Sequence, residues 1–239
     1  MKNQKRRRKK STIRRHKKLT VAQQKQRVRR SIRMGLVLLA VMFLVFGVVR
    51  FIKPSLFKKD YYEKEGEEID AYKPDIDVEL LTVNPYSRPG IKTDKITGVV
   101  IHYTANPGAT AIANRNYFEG LKDSHATKTS SNFVIGLEGE IVQCVPTWEV
   151  AYASNNRNSD TVSIECCHPD ESGKFNSETY QSMVDLTAWL LMKFDLNEKD
   201  VIRHYDVTGK NCPKYFVENE KAWKQFRKDI KSSLEKAGK

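Results

Sequence analysis

Two histidines and one cysteine have the residue types and the placement that a hydrolytic metal site needs. His204 and Cys212 lie close together in the chain, with Lys210 between them, and His102 lies far upstream at the end of the apolar run Val99–Ile101. Two imidazoles and a thiolate can hold a zinc ion and leave its fourth position open for water. The pattern therefore predicts a zinc hydrolase.

Strand-like and helical runs alternate from residue 95 onward, and these elements must position the three side chains. The predicted strands cover 98–103, 132–136, 140–145, 161–167 and 201–204, and the predicted helices cover 109–121, 178–194 and 217–234. Strands interleaved with helices indicate an α/β layer fold. About 140 residues are enough to bury a single core.

The net charge of +13 is unevenly distributed along the 239 residues. Residues 1–33 contain 16 of the 42 Lys and Arg residues and no acid, so the remainder has 26 basic against 29 acidic residues. A basic arm alone is typical of nucleic-acid binding. An apolar segment follows directly, however, so we expect the arm to contact anionic lipids and expect no nucleic-acid partner.

The apolar segment 34–53 carries charge only at Arg50 and Lys53. As a helix it approaches the ~20 residues that span a bilayer. A buried core helix would normally have a polar face, and a cleaved signal peptide would have a shorter basic lead-in and a small-residue cleavage site. We therefore predict a single transmembrane anchor in the cell membrane. The preceding basic residues place the N-terminus in the cytoplasm and the rest of the chain outside.

These features divide the chain into four parts. They are a basic cytoplasmic arm (1–33), an anchor (34–53), a polar, proline-containing extracytoplasmic stalk (54–94) and a globular domain (95–239). The exported part contains the four cysteines. If Cys212 binds metal, the other three, Cys144, Cys166 and Cys167, are open to two interpretations, buried core residues or partners in one disulfide.

From about Ile96 to Phe216 the chain resembles the zinc-dependent N-acetylmuramoyl-L-alanine amidases, the family of bacterial autolysins, an amidase-type phage lysozyme and the peptidoglycan recognition proteins. The matching segments, in the family's order and spacing, are 99–104, 132–146, 160–165 and 204–213. The resemblance implies a central mixed β-sheet flanked by helices and assigns the zinc ligands to His102, His204 and Cys212.

Two further residues have candidate catalytic roles. Glu165 interrupts an apolar run, where a carboxylate is costly to bury without a purpose, and the resemblance implies that it acts as the general base. Lys210 is close enough in sequence to a ligand to stabilise an oxyanion, and the resemblance implies the same role. Asn106, Asn132 and Trp148 are candidates for binding the glycan and peptide.

The sequence thus predicts a membrane-anchored zinc amidase that cleaves peptidoglycan between the lactyl group of N-acetylmuramic acid and L-alanine. Two alternatives stay open at this point. One is a non-catalytic peptidoglycan-binding module on the same fold, although such a module has no need of a complete catalytic set. The other is a cysteine peptidase that uses Cys212 with His204 and is insensitive to chelators.

Overall fold

The computed structural model describes residues 72–238 without a break, together with residue 70 and six scattered positions between 26 and 35. Residues 72–238 belong to one compact unit of the chain. The predicted basic arm and membrane anchor lie almost wholly outside the described residues. Within the part that is described, no helix has the length and apolar character needed to cross a bilayer.

The described residues form a mixed β-sheet of six strands in the order β1-β4-β3-β5-β2-β6. The strands are β1 (Asp77–Val78), β2 (Gly98–Tyr103), β3 (Phe133–Ile135), β4 (Ile141–Gln143), β5 (Thr161–Cys166) and β6 (Val201–Arg203). The β3–β4 hairpin is antiparallel, and the other neighbouring pairs are parallel. This mixed sheet confirms the predicted α/β class.

Helices cover both faces of the sheet. They are α1 (Ala111–Ser124), α2 (Ser177–Lys193), α3 (His204–Thr208), α4 (Lys214–Glu218) and α5 (Glu220–Lys236). The two long helices that follow β5 and β6 pack, with α4, over one face, where Ile101, Phe133 and Ile164 lie in the main core. Helix α1 packs over the other face, against Val134. Alternation along each strand sends successive side chains to these two cores.

Several of the predicted elements are shifted by a few residues. The difference that matters most for the site concerns His204, which was predicted to lie at the end of a strand. In the structure β6 ends at Arg203 and His204 begins α3. The turn occurs there because the carboxylate of Asp206 accepts a hydrogen bond from the backbone N–H of Arg203, which caps the first turn of the helix. All four cysteines are free and buried.

The segment before residue 95 differs from the stalk that the sequence predicted. Strand β1 pairs with β4, and Leu81 is 1% exposed within the smaller core. The guanidinium of Arg88 makes two hydrogen bonds, of 2.7 and 2.8 Å, to the carboxylate of Glu149. From β1 onward the segment is therefore part of the folded domain, because its buried contacts come from residues distant in sequence.

Candidate metal centre and active site

Strand register brings His102 and Glu165 together. They are paired residues of the adjacent parallel strands β2 and β5, so both side chains project from the same face of the sheet. His102 Nδ1 lies 3.9 Å from Glu165 Oε1. The other residues of both strands are buried, apart from the half-buried Tyr103, and this packing fixes the two Cα positions. The sheet therefore supplies a rigid support for one candidate ligand and the candidate base.

A compact turn brings His204 and Cys212 to the same place. Helix α3 ends at Thr208 and is capped by Gly209, whose φ of 78° is a left-handed conformation that favours glycine. The chain then folds back, and the carbonyl of Cys212 accepts a hydrogen bond of 2.8 Å from the N–H of Tyr205. The glycine C-cap thus lets the chain turn back, so that Cys212 comes close to His204.

The three predicted ligands converge. One donor atom from each of His102, His204 and Cys212 lies within 4.8 Å of the others. Cys212 Sγ is 3.9 Å from His102 Nδ1, and the two imidazole ring centroids are 4.7 Å apart. All three residues are at most 7% exposed. Such a buried cluster of convergent donors is the arrangement expected of a metal site.

In the cluster without a cation, burial and nearby charges favour neutral imidazoles and a protonated thiol. Burial, reinforced by the positive charge of His204 and of Lys210, lowers the pKa of His102 well below its usual value. Burial and Lys210 also lower the pKa of His204. Burial and the negative charge of Glu165 raise the pKa of Cys212 to about 12. Neutral imidazoles are ready ligands, whereas the thiol needs a bound cation to ionise.

Glu165 has the environment of a functional carboxylate. Burial raises its pKa to about 8, against the opposing effect of Lys210. Its Oε2 atom is buried and has no hydrogen-bond partner. A buried polar atom without a partner is costly, and in a native fold it commonly marks a site that a ligand or ordered water completes.

The donor set fits zinc. Two neutral nitrogens and one sulfur are its usual protein ligands, and three of them are the number found in catalytic sites. Glu165 Oε2, which lies beside the cluster without a hydrogen-bond partner, could bond to a molecule bound at such a metal centre. Lys210 is exposed, but its positive charge acts to lower the pKa values of all three candidate ligands and of Glu165.

The structure also brings to the site two residues that were not predicted to contact the histidines. Ser154 Oγ lies 3.1 Å from His102 Nε2, and Asn155 Oδ1 lies 2.9 Å from His204 Nε2. Each is about 50 residues away in sequence from the histidine that it contacts, so no local spacing pattern could indicate the contact.

The candidate substrate-binding residues divide into two groups. Asn106 and Trp148 are exposed, Trp148 to 64%. The prediction that Asn132 binds substrate is wrong, because the residue is 1% exposed and its amide forms hydrogen bonds inside the protein. Its Oδ1 accepts from the N–H and hydroxyl of Ser163, and its Nδ2 donates to the carbonyls of Val145, Pro146 and Glu149. Asn132 joins β3 to its neighbours and has a structural role.

Residues 92–215 match the family described as N-acetylmuramoyl-L-alanine amidase. The chain belongs to this amidase family. It is 36% identical over 167 residues to the N-acetylmuramoyl-L-alanine amidase CwlL of Bacillus licheniformis, covering 65% of this chain and 46% of that protein. It is 33% identical over 175 residues to BlyA of Bacillus subtilis (strain 168), covering 64% and 46%. The chain thus spans about half the length of the curated relatives that it matches.

Solved structures support the amidase fold. The catalytic domain of XlyA superposes with a TM-score of 0.56 at 24% identity, covering 66% of this chain and 99% of that one. PlyL gives a TM-score of 0.57 at 22% identity, covering 66% and 98%. At these identities the likeness concerns the fold. It confirms the architecture that the family resemblance implied.

Proposed function

We propose that this protein is a zinc-dependent N-acetylmuramoyl-L-alanine amidase. Its reaction is hydrolysis of the amide bond between the lactyl group of N-acetylmuramic acid and the L-alanine of the peptidoglycan stem peptide. The observation that carries the proposal is the convergence of His102, His204 and Cys212 beside Glu165, in a chain that belongs to the amidase family. The similarity to the N-acetylmuramoyl-L-alanine amidases CwlL and BlyA supports the same reaction.

Zinc, when bound, acidifies a water molecule and polarises the scissile carbonyl. His102, His204 and Cys212 are the residues that would hold it. Glu165 accepts the proton of the attacking water and returns it to the departing amine nitrogen, roles for which a raised carboxyl pKa is suited. Lys210 places an ammonium group near the developing oxyanion and stabilises it.

The buried state of Cys212 argues against the cysteine-peptidase alternative. A nucleophilic cysteine needs a thiolate, which a neighbouring positive charge stabilises. Here burial and Glu165 raise the pKa of Cys212 to about 12, and the residue is 2% exposed. The thiol is therefore suited to metal binding and poorly suited to attack. The binding-module alternative is disfavoured by Glu165, because a module without chemistry has no need of a buried carboxylate oxygen without a partner.

The location outside the membrane is part of the proposal. Its support is the basic arm followed by the apolar segment 34–53 in the sequence. An anchor there would keep the domain beside the cell wall, where peptidoglycan is the substrate within reach. Protease treatment of sealed right-side-out vesicles tests this topology. Digestion of the domain is expected, and its full protection would contradict the proposal.

The reaction is tested by incubating the full-length protein with purified cell wall. New amino termini of L-alanine should form, and a chelator should stop their formation. New reducing sugar ends would indicate a glycosidase. Formation of the amino termini in the presence of a chelator would favour the cysteine-peptidase alternative. No release at all, with zinc bound, would indicate a binding module.

A further inference from the structure

We propose that the loop 153–158 is a positioning element for the metal centre, with Ser154 and Asn155 orienting the two histidine ligands. Neither residue touches the reacting atoms in this role. They act through His102 and His204 by fixing which ring nitrogen carries the hydrogen. The inference rests on the proposed zinc centre, and its experiment separates the two.

Asn155 determines the tautomer of His204. Asn155 Oδ1 is a carbonyl oxygen and can only accept a hydrogen bond, and it lies 2.9 Å from His204 Nε2. The hydrogen of the neutral ring must therefore be on Nε2. Nδ1 is then left with its lone pair free for a metal. A ligand histidine whose second nitrogen donates to an oxygen is both oriented and made more basic.

Ser154 does the same for His102. Ser154 Oγ lies 3.1 Å from His102 Nε2, and both residues are 1% exposed. His102 Nδ1 is the nitrogen that faces Cys212 Sγ. When Nδ1 serves as the ligand, the hydrogen is on Nε2, and the serine hydroxyl accepts it. The two consecutive residues thus present one oxygen to each ligand.

The loop itself is held by contacts away from the metal centre. Asn158 Oδ1 accepts hydrogen bonds from the backbone N–H groups of Ala153 and Ser154. Arg157 donates to the carboxylate of Asp160 at 2.9 Å and so fixes the end of the loop. Asn155 has a φ of 53°, a left-handed conformation that asparagine and glycine tolerate better than most residues. These hydrogen bonds hold the short loop in the conformation that places Ser154 Oγ and Asn155 Oδ1 against the two histidines.

Zinc affinity of the purified full-length protein, measured by competition with a chromophoric chelator, tests the inference. Asn155→Gly keeps the left-handed backbone and removes the acceptor, whereas Asn155→Asp keeps both. Ser154→Ala removes the other acceptor. Asn156→Gly is the matched control, because Asn156 is exposed like its neighbour Asn155 but makes none of these contacts.

We expect N155G and S154A each to weaken zinc binding about 10- to 100-fold, the usual effect of losing such a partner. N155D should bind at least as tightly as the wild type, and N156G should differ from it by less than about threefold. Equal affinities of N155G and N155D would overturn the inference while leaving the zinc centre intact. A wild-type protein that binds no zinc would overturn the centre and the inference together.

Cobalt substitution gives a readout that a merely structural role would not change. The absorption of thiolate-bound Co²⁺ reports the geometry of the ligands directly. N155G should alter the band intensities of the cobalt protein, while N155D and N156G keep the wild-type spectrum. Identical spectra for all four proteins would contradict a positioning role.

Discussion

Replacing Glu165 by Gln should lower activity and raise stability at the same time. The amide has nearly the shape of the carboxylate but cannot serve as a base, so kcat/KM should fall by about 10²- to 10⁴-fold. This corresponds to ~3–5 kcal/mol of transition-state stabilisation. Zinc content should be unchanged, because Glu165 is not among the three convergent donors.

The stability gain follows from the carboxyl environment in metal-free protein. Burial raises the pKa of Glu165 to about 8, and its Oε2 has no partner. A folded-state pKa above the unfolded value of about 4.5 makes ionisation destabilising as pH rises from 4.5 to 8. Glu165→Gln should therefore gain about 1–3 kcal/mol near pH 8 and almost nothing below pH ~4.5, where the carboxyl is protonated in both states.

Urea unfolding of the chelator-treated protein at several pH values measures this gain. Glu149→Gln is the matched control, because that carboxylate accepts two hydrogen bonds from Arg88. It should lose about 1–3 kcal/mol, since the half-buried guanidinium loses the charge and one of the two acceptor oxygens of its partner. An E165Q variant that keeps activity within tenfold of wild type, or that is less stable than wild type at pH 8, would refute the reasoning.

Three further predictions concern single side chains. Cys212→Ser should lower zinc affinity by at least about tenfold in a metal-competition assay, because zinc binds thiolate far better than hydroxyl; unchanged affinity would exclude Cys212 as a ligand. Asn132→Leu should cost ~3 kcal/mol in urea unfolding, because it leaves buried partners unsatisfied; a neutral effect would return Asn132 to the candidate substrate site. Burial opposes ionisation of Glu119, but hydrogen bonds from Lys122 and Thr82 outweigh it and lower its pKa to about 2. The carboxylate thus stabilises the fold above pH ~4.5 and loses this effect as the pH falls towards 2, so Glu119→Gln should reduce the acid-induced loss by ~1 kcal/mol; an unchanged acid transition would contradict this.

The sequence predicted the parts of the site whose signals are local. Short runs rich in β-branched residues identify β2 and β5, and His102 and Glu165, which interrupt these runs, are the side chains that the strand register places together. The short spacing from His204 to Cys212 is likewise a property of one turn. These predictions hold because strand periodicity and turn chemistry act over a few residues.

The rest of the site depends on contacts between residues distant in sequence. Ser154 and Asn155 lie in a loop, and the histidines that they contact are about 50 residues away in sequence. Asn132 was predicted to bind the glycan and peptide, but its partners come from a neighbouring strand and from the loop after β4. Strand β1 has two residues, too few to show a period, so its pairing with β4 could not be foreseen.

The most direct test of the central claim is mass spectrometry of the products from a purified disaccharide–stem peptide fragment of peptidoglycan. The account predicts two products, the free disaccharide and the complete stem peptide beginning with L-alanine, whose masses add up to the substrate plus one water. Formation of both should stop when the metal is removed and resume when zinc is restored. Cleavage between the sugars or inside the peptide, or the same products without metal, would contradict it.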